Sequence, residues 1–405
     1  MQDAFLPSAQ HDMRSGQSSW RILLDTRTPW LVEFARALAA TVPTCGFSPE
    51  IMTFGRFRRE AGGCVKIGPL TVTRFPLQRG YFSPYLGPLF GEDSRILKRL
   101  ESTDPGSHPL VCCLPHYARL AERWPGPVIY YATDLFRNYS GWKPGHIDAL
   151  ERSICKIATL VCPNSTRVAD VLVRESGCDP NRILVLPNAV RRENLLLEPA
   201  LLPGPLLADI QNMNRPVAGV IGNLAGNTDW ELLEEVVRST PWLSWVFVGP
   251  YSAIVEDANQ AGARQRLLEV GGRVVFTGPK SYGDLKDYAR ALDVAILPYR
   301  KSEPTYSGSS TRFYEHLAAC RPMVATRGFE ELLHKPPALR LADTARDCVE
   351  ELEQLRAVNF QDGLAEFRWK MSAENTWEVR ARRMCEALMS GMGTFGFAAG
   401  SSYHA

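Results

Sequence analysis

Residues 293–326 read DVAILPYRKSEPTYSGSSTRFYEHLAACRPMVAT, and this stretch decides the fold class. The apolar runs 293–298 and 322–326 have the length of buried strands, with a polar loop and a helical segment between them. A helix that joins two strands in this way predicts a crossover between parallel neighbours. The stretch therefore predicts a β-α-β unit, and with it an α/β domain.

The start of this helix predicts an anion site. Ser309, Ser310 and Thr311 supply hydroxyl groups and free backbone N–H groups where the helix dipole favours negative charge. Arg312, less than one turn into the helix, could neutralise a diphosphate, and Glu315 could accept hydrogen bonds from the paired hydroxyls of a ribose. The pattern favours a nucleotide at this helix.

An ordinary surface helix is the alternative interpretation. At about 100° per residue, Phe313, Leu317 and Cys320 share one face, while Arg312 and Glu315 lie roughly opposite. An exposed Arg–Glu pair on a solvated face would give the same pattern at little energetic value.

The order of these residues resembles a known family. Pro-Tyr at a strand end, Ser-Ser-x-Arg-x-x-Glu at a helix start and x-Pro-x-Val-x-Thr in the next strand resemble the nucleotide-binding segment of GT-B glycosyltransferases of the group 1 type. The bacterial exopolysaccharide glucuronosyltransferases of the xanthan type are similar. There the matching positions hold the UDP part of the donor, which makes candidates of Tyr299, Ser309, Ser310, Thr311, Arg312 and Glu315.

Length and composition suit two soluble domains. The chain has 405 residues, of which 45% are hydrophobic and 22% charged, and it shows neither a membrane-spanning run nor a secretory signal pattern. We expect a cytoplasmic protein. The ten cysteines form no metal-binding spacing and are expected to be small buried hydrophobes.

The charge argues against one class of partner and leaves another open. A net charge of +2 argues against a general nucleic-acid binder. A small basic excess in residues 1–190 is compatible with a lipid-linked acceptor and peripheral contact with the inner membrane face, although chance is the better explanation of so small an excess.

The alternation of strands and helices predicts two doubly wound Rossmann-like domains with a cleft between them. In the first domain we expect strands at 21–25, 110–114, 128–132, 160–163 and 183–186, with helices at 30–38, 146–158 and 165–175. In the second we expect strands at 217–222, 245–249, 274–277, 294–298, 323–326 and 338–341, with helices at 229–239, 281–291 and 309–320. Residues 43–90, rich in Gly, Pro and aromatics, are expected either to pack on the domain or to bind an acceptor.

The domain limits rest on composition together with the family resemblance, and the roles of the two domains are those that the resemblance implies. We predict a loose leader (1–19), an N-terminal acceptor-side domain (20–190), a Pro- and Leu-rich linker (191–215), a C-terminal nucleotide-sugar-binding domain (216–370), a helix crossing back to the N-terminal domain (371–390) and a flexible tail (391–405). The run Leu186-Pro-Asn-Ala-Val190 resembles the one that closes the N-terminal domain in many GT-B enzymes. The crossing helix, around Trp377, also rests on this resemblance.

A glycine-rich turn follows the first strand of the second domain. It includes Gly222 and Asn223, and such a turn lets backbone amides approach a phosphate closely. The same glycines could simply serve chain reversal. In GT-B enzymes, however, this loop faces the donor diphosphate opposite residues 309–315.

Asp134 is the candidate catalytic residue. It follows the buried strand 128–132, which places it at the carboxyl edge of the sheet, and an inverting glycosyl transfer needs a carboxylate that takes the proton from the attacking hydroxyl. The pattern Tyr-x-x-Thr-Asp resembles the segment that carries this base in the family. The alternative is an Asp that caps the next helix. Four further residues are acceptor-side candidates: Tyr131, Asn138, Trp142 and His146, of which Trp142 could equally be core.

No D-x-D triplet is present, so we expect no cofactor and no obligatory metal. Arg312, with Lys280 and Arg300 as weaker candidates, would stabilise the leaving diphosphate. Two departures from the family bear on detail: Pro279 stands where the xanthan-type enzymes have a carboxylate, and the Arg and Lys of many group 1 enzymes are absent around 226–230.

The prediction is thus a glycosyltransferase, hexosyl- or glycuronosyl-transferring, that uses a UDP-sugar and a glycan, lipid-linked or small-molecule acceptor in polysaccharide or glycoconjugate biosynthesis. Three alternatives stay open: a retaining transferase that needs no base at Asp134, a sugar-nucleotide epimerase of the same fold, and a non-catalytic partner subunit.

Overall fold

The computed structural model describes residues 19–51, 63–83, 85–87, 91–101, 108–139, 142–224, 226–251, 257–303 and 305–391. The predicted leader and tail lie outside these ranges, except for their inner ends at residues 19 and 391. Within the described ranges, no helix combines the length and apolar character that a membrane crossing needs.

The N-terminal domain is built on a seven-stranded sheet of order β3-β4-β2-β1-β5-β6-β7, counted over the described residues. All neighbouring pairs are parallel except β3 with β4. The strands are β1 (Trp20–Leu23), β2 (Thr44–Ile51), β3 (Cys64–Ile67), β4 (Leu70–Leu77), β5 (Leu110–Cys112), β6 (Val128–Ala132) and β7 (Leu160–Pro163). The helices are α1 (Pro29–Thr41), α2 (Glu92–Glu101), α3 (Ala118–Ala121), α4 (Pro144–Ile157) and α5 (Thr166–Ser176).

Both faces of this sheet are covered, so its central strands are buried throughout. In β6, Tyr130 joins the core on one face and Tyr131 the core on the other, because neighbouring residues of a strand point to opposite sides. The carboxyl ends of β5, β6 and β7 consequently meet at one edge, from which the loop carrying Asp134 emerges.

The C-terminal domain has six parallel strands in the order β10-β9-β8-β11-β12-β13 within the described residues. The strands are β8 (Val217–Ile221), β9 (Ser244–Val248), β10 (Val274–Gly278), β11 (Val294–Leu297), β12 (Met323–Thr326) and β13 (Arg340–Ala342). The helices are α6 (Trp230–Ser239), α7 (Ala258–Val270), α8 (Leu285–Ala291), α9 (Thr311–Ala318), α10 (Ala345–Ala357) and α11 (Ala365–Glu374).

The strand order of this second sheet predicts where a ligand binds. The chain moves outward from β8 to β9 and β10, then returns to the other side of β8 with β11. Crossovers run in opposite directions on the two sides of β8, and such a switch point opens a crevice at the carboxyl ends of the strands. The loops after β8 and β11 border that crevice.

The two domains are joined twice. The connection after Val190 lies against the C-terminal domain, where Trp369 and Arg321 donate hydrogen bonds to the carbonyl groups of Leu196 and Ala200. The chain then returns at residues 375–377, where the backbones of Val190 and Asn375 are hydrogen-bonded at 2.8 Å. The last helix, α12 (Trp377–Met389), packs on the N-terminal domain, with Trp377, Ala381 and Met384 in its core.

Several predicted elements differ from the structure. Residues 183–186 form no strand: Leu184 and Leu186 donate backbone hydrogen bonds to β7, but these bonds are too few to make a ladder. Residues 371–390 are not one helix, because α11 ends at Glu374 and Thr376 caps α12. The described part of region 43–90 contains three strands that the sequence did not reveal.

Residues 43–90 were expected either to pack on the domain or to bind an acceptor, and their aromatic side chains differ in this respect. Phe75 and Tyr81 pack in the core, whereas Phe82 lines a cavity and Tyr85 is exposed. Phe54, Phe57 and Phe90 lie outside the described residues. Of the ten free cysteines, eight are buried as predicted, Cys45 is partly buried, and Cys64 is exposed on the edge strand β3.

Candidate active site

A cavity of about 520 Å³ lies at the switch point of the C-terminal sheet. The loop after β8, the loop after β11 and one face of α9 form most of its wall, and Pro29 and Trp30 at the start of α1 close it from the N-terminal domain. Seven of the eight predicted donor-binding residues line this cavity: Gly222, Asn223, Tyr299, Ser309, Thr311, Arg312 and Glu315.

Two glycines bring the loops of this cavity together. Gly222 has φ +119°, and a Cβ there would lie 2.8 Å from Nε of Arg312. Gly249, at the end of β9, has φ +140°, and a Cβ there would lie 1.9 Å from the carbonyl oxygen of Gly222. Only glycine allows this backbone conformation and this close approach without a clash. The turn is therefore shaped by contact with Arg312 as well as by chain reversal.

Arg312 is a buried cation without a carboxylate beside it. Its side chain is held by a hydrogen bond from Nη2 to the carbonyl oxygen of Asn223, and its guanidinium lies 5.1 Å from the centre of the Tyr299 ring. The residue is only 8% exposed, its Nη1 has no hydrogen-bond partner, and no described carboxylate is within ion-pair distance of it. An anion in the cavity would therefore stabilise this buried positive charge.

Ser310 differs from the other predicted donor residues. Its hydroxyl accepts the N–H of Phe313 and thus caps α9, and its own N–H donates to Glu331 at 3.0 Å. Its hydroxyl also meets that of Tyr299 at 2.9 Å, so the side chain is fully used inside the protein. Ser310 therefore orients the helix start instead of lining the cavity.

The helix α9 is buried on every side, which contradicts the interpretation as an ordinary surface helix. Every residue from Arg312 to Ala318 is buried, and Arg312 and Glu315 form no ion pair with each other. The sheet covers one face, and α8, α11 and the connection after Val190 cover much of the remainder. Polar residues on this helix accordingly need partners within the protein or in a ligand.

One of the two carboxylate oxygens of Glu315 has a hydrogen-bond partner within the protein. Its Oε2 accepts a hydrogen bond of 2.7 Å from Asn194, and its Oε1 lies 3.6 Å from Nε of Arg191 without a hydrogen bond. Burial raises the pKa of the Glu315 carboxyl above its usual range, although Arg191 opposes the shift. Oε1 is thus ion-paired but not hydrogen-bonded and has room to accept one ligand hydroxyl, whereas accepting two hydroxyls would require Asn194 to move.

Asn188 links the N-terminal domain to the loop before α9. Its backbone N–H donates to the Ser309 hydroxyl at 3.0 Å, and its amide donates to the Ser309 carbonyl at 2.8 Å and to the Thr311 hydroxyl at 3.0 Å. Asn188 belongs to the run 186–190 that the sequence singled out as a domain end. That motif was the available signal for its role, although its partners lie over 120 residues away.

His316 is a further polar side chain of the cavity. It is fully buried, and neither ring nitrogen has a hydrogen-bond partner among the described residues. Burial and the neighbouring Arg312 lower its pKa to about 3, so the imidazole is neutral at pH 7. Its position four residues after Arg312 on a helix was a signal that it shares the same face.

The two weaker cation candidates lie in different places. Lys280 lines the cavity but forms a salt bridge of 2.7 Å with Asp209. Arg300 is not among the lining residues, and its side chain pairs with Asp257 at 3.2 Å. Arg312 is therefore the cation best placed to meet an anion in the cavity.

Asp134 lies at the carboxyl end of β6 and faces the C-terminal domain. Its Oδ1 is 3.5 Å from the position that a Cβ of Gly308 would take, so it lies against the loop that leads into α9. Oδ2 accepts a hydrogen bond of 2.5 Å from Tyr139, and Oδ1 accepts the N–H of Leu135. Burial raises its pKa to about 6 despite these hydrogen bonds. The following short helix takes no side-chain cap, so capping does not explain this residue.

A second cavity of about 510 Å³ contains Asp134 and adjoins the first, because Trp30 lines both. Of the four acceptor-side candidates, Trp142 lines it. Tyr131 does not: it is 0% exposed and packs 4.5 Å from Phe34 in the core, since it points to the covered face of the sheet. Asn138 is exposed at the end of a short helix, and His146 lies behind His116, so neither reaches the cavity wall.

Other lining residues had no signal in the sequence. Trp30, Tyr282 and Phe329 reach the donor cavity from three separate elements, and only the packing of those elements brings them together. Within the described ranges no group of three or more His, Cys, Asp or Glu is placed to hold a metal ion. Metal independence stays a prediction.

Comparison with known proteins agrees with this architecture. No family model matches the chain. The putative teichuronic acid biosynthesis glycosyltransferase TuaH of Bacillus subtilis (strain 168) is 23% identical over 289 residues, which cover 67% of this chain and 70% of that protein.

Two solved structures are similar over nearly the whole chain. Sucrose-phosphate synthase of Thermosynechococcus elongatus has a TM-score of 0.70 at 14% identity and covers 92% of this chain and 99% of its own. Anabaena HepE in complex with UDP and glucose has a TM-score of 0.68 at 14% identity, and the match covers 92% of this chain and 100% of the HepE chain. The specific likeness to xanthan-type enzymes stays a prediction. The fold prediction is confirmed: the chain has the GT-B fold of glycosyltransferases.

Proposed function

We propose that this protein is a glycosyltransferase that moves a sugar from a UDP-sugar to an acceptor hydroxyl. The observation that carries the proposal is Arg312, a buried cation whose Nη1 is unpartnered and which lines a cavity at the switch point of the C-terminal sheet. A diphosphate supplies the missing anion. The HepE structures, which contain UDP or UDP-glucose, support UDP as the nucleotide.

In this proposal, different residues of α9 and of the loop before it bind different parts of the donor. Arg312 binds the diphosphate and stabilises the charge that develops on it as the bond to the sugar breaks. The hydroxyls of Ser309 and Thr311, held by Asn188, lie at the start of the helix where its dipole favours the same charge. Glu315 accepts one ribose hydroxyl at Oε1.

Asp134 acts as the general base of an inverting transfer. The acceptor oxygen attacks the anomeric carbon of the donor and forms the new glycosidic bond, while its proton passes to the Asp134 carboxylate. The bond between the anomeric carbon and the diphosphate oxygen breaks, and UDP leaves with the electron pair. A pKa of about 6 leaves the carboxylate ionised, yet basic enough to take a proton, near neutral pH. The anomer of the product distinguishes this path from retention.

The adjoining second cavity supports transfer over the other functions that the sequence leaves open. An epimerase acts on the donor alone and needs no acceptor space beside Asp134. A non-catalytic subunit needs neither a base of raised pKa nor a free cation. The name of the relative TuaH supports a role in the biosynthesis of a polysaccharide or glycoconjugate. We propose a hexosyl or glycuronosyl residue as the group transferred.

Isothermal titration with UDP tests the donor site. The wild-type protein should bind UDP, and Arg312→Ala should bind it about 10-fold to 100-fold more weakly, because a hydrogen bond to a charged group contributes about 1.5–3 kcal/mol. Arg346→Ala is the matched control: this arginine is exposed and pairs only with Glu350 on α10, so UDP affinity should be unchanged. A wild-type protein that does not bind UDP would refute the proposal.

A further inference from the structure

The second cavity has an aromatic wall next to Asp134. The rings of Phe136, Tyr139 and Trp142 lie with centres 5.6–5.9 Å apart and with interplanar angles of 20–37°. All three line the cavity, and the hydroxyl of Tyr139 donates to Asp134. The three rings therefore form an aromatic platform directly beside the proposed base.

Among the residues that the structure describes around this cavity, no cation is left unpaired. Among its lining residues the charged side chains are Asp25, Arg27 and Asp134. Arg27 binds Asp25 through two parallel hydrogen bonds, from Nε at 2.9 Å and from Nη2 at 2.8 Å, so these two charges cancel. The nearby His116, whose ring lies 4.6 Å from that of Trp142, is kept neutral because burial lowers its pKa to about 4. The remaining charge is that of Asp134.

The two cavities differ in the charged groups that line them, and this difference indicates which kind of acceptor fits the second cavity. The donor cavity contains a cation without a carboxylate partner and suits a diphosphate. Among the described lining residues of the second cavity, the one cation, Arg27, is already paired with Asp25, so a phosphate or carboxylate there would face the Asp134 carboxylate without a free cation. Burying an unpaired anion there is unfavourable. An uncharged sugar ring fits, because its apolar face can pack on aromatic side chains while its hydroxyls reach the few polar groups.

We propose that the second cavity selects an acceptor whose reacting unit is an uncharged sugar ring, packed on Trp142 and Phe136 with its attacking hydroxyl at Asp134. This inference rests on the proposed glycosyltransferase function. It sets this protein apart from enzymes whose acceptor unit carries a phosphate beside the reacting hydroxyl. A glycan end fits the site, and a sugar phosphate does not.

Saturation-transfer NMR in the presence of saturating UDP tests the selection. The probes are methyl β-glucoside, methyl β-galactoside and methyl α-mannoside, with methyl β-glucuronide and glucose 6-phosphate as charged counterparts. At least one uncharged methyl glycoside should bind, and neither charged sugar should bind as tightly. Binding of glucose 6-phosphate or the glucuronide in preference, or no binding of any uncharged glycoside, would overturn the inference.

Variants of Trp142 test the site itself. Trp142→Ala should weaken the bound glycoside about 10-fold or more with UDP affinity unchanged, and Trp142→Phe should keep most of the binding because it retains a ring. Trp242→Ala, a partly buried tryptophan of the C-terminal domain, is the matched control and should leave the glycoside unaffected. Unchanged glycoside binding by Trp142→Ala would refute the assignment. UDP binding in the same samples separates the two proposals: if UDP fails to bind the wild type, the donor proposal fails, whereas bound UDP without any bound uncharged glycoside refutes only the acceptor inference.

Discussion

At the scale of single residues, the surroundings of a side chain decide whether it can take part in chemistry. Asp134 and Glu315 are both carboxylates beside a cavity, but Glu315 is tied by Asn194 and faces Arg191, whereas Asp134 faces a glycine of the opposite domain. The first arrangement suits binding and the second leaves room for an acceptor oxygen. The roles proposed for them follow from this difference.

The raised pKa of Asp134 predicts a pH profile. Since the base must be ionised, kcat/KM should fall as the pH decreases through about 6, and not at the lower pH typical of an exposed aspartate. The hydrogen bond from Tyr139 lowers the pKa of Asp134, so Tyr139→Phe should move this acidic limb to higher pH. Rates measured between pH 5 and pH 9 in both proteins check the shift.

Replacement of the base gives the complementary result. Asp134→Asn should lower the turnover rate about 100-fold or more, as expected for the loss of a general base. The UDP affinity measured by titration should stay at the wild-type value. Normal turnover in this variant would remove Asp134 as the base and would favour a retaining path.

Gly249 predicts a stability effect at one residue. Gly249→Ala should destabilise the protein by about 3 kcal/mol or more, because the new Cβ would collide with the Gly222 carbonyl and the residue has φ +140°. Gly271→Ala is the matched control: Gly271 also has positive φ (+59°), but no atom lies within 4 Å of its Cβ position, so about 1 kcal/mol is expected. Urea unfolding of the two variants compares the effects, and equal losses would show that the close approach to Gly222 contributes nothing.

At the scale of elements, the loop between β11 and α9 is held from both domains. Ser165 at the start of α5 donates to the carbonyl of Ser307, Arg167 donates to the Ser307 hydroxyl at 3.1 Å, and Asn188 holds the next residues. The loop proposed to bind the donor is therefore held in part by the N-terminal domain. Relative movement of the domains should change donor affinity as well as acceptor access.

Asn188 provides the test of this coupling. Asn188→Ala removes the amide that holds Ser309 and Thr311, so UDP should bind about 10-fold more weakly, although Asn188 lines neither cavity. Asn181→Ala is the control, since Asn181 is exposed and also lines neither cavity. Isothermal titration measures both, and unchanged affinity in Asn188→Ala would show that the loop keeps its shape without the N-terminal domain.

At the scale of the whole molecule, the chain itself fastens the two domains together, next to the residues that hold the loop before α9. Val190 and Trp377 exchange backbone contacts where the chain leaves and re-enters the N-terminal domain, and Arg380 donates to the carbonyl of Pro187. The helix α12 thus belongs to the core of a domain whose other elements come from the first 190 residues. Peripheral membrane contact and the nature of the donor sugar stay predictions.

The packing of α12 predicts a large effect far from both cavities. Trp377→Ala should destabilise the protein by about 3–5 kcal/mol, because the ring is buried against Phe34 and its removal leaves a cavity. Phe367→Ala on the neighbouring α11 should cost little, since Phe367 is 43% exposed. Chemical denaturation followed by circular dichroism compares the two, and similar losses would contradict the assigned packing.

The sequence by itself determined the alternation of buried strands and helices, the helix that carries Arg312 and Glu315, and the position of Asp134 after a central strand. These features depend on periodicity and on the topology of parallel sheets, and both can be recognised from residues that are close together in the sequence. Where that local pattern was weak, the prediction was wrong: β4 alternates between buried and exposed positions, but the Pro- and Gly-rich context around it concealed the strand.

Only the tertiary structure decided which side chains share a cavity. It turned Ser310 inward as a helix cap, buried Tyr131 under α1, and brought Trp30 and Asn188 to loops more than 100 residues away in sequence. Contacts between domains depend on how two separately formed cores pack together, and no local period encodes that packing. For this reason the sequence predicted a nucleotide at α9, whereas the aromatic cavity beside Asp134 became visible only in the folded chain.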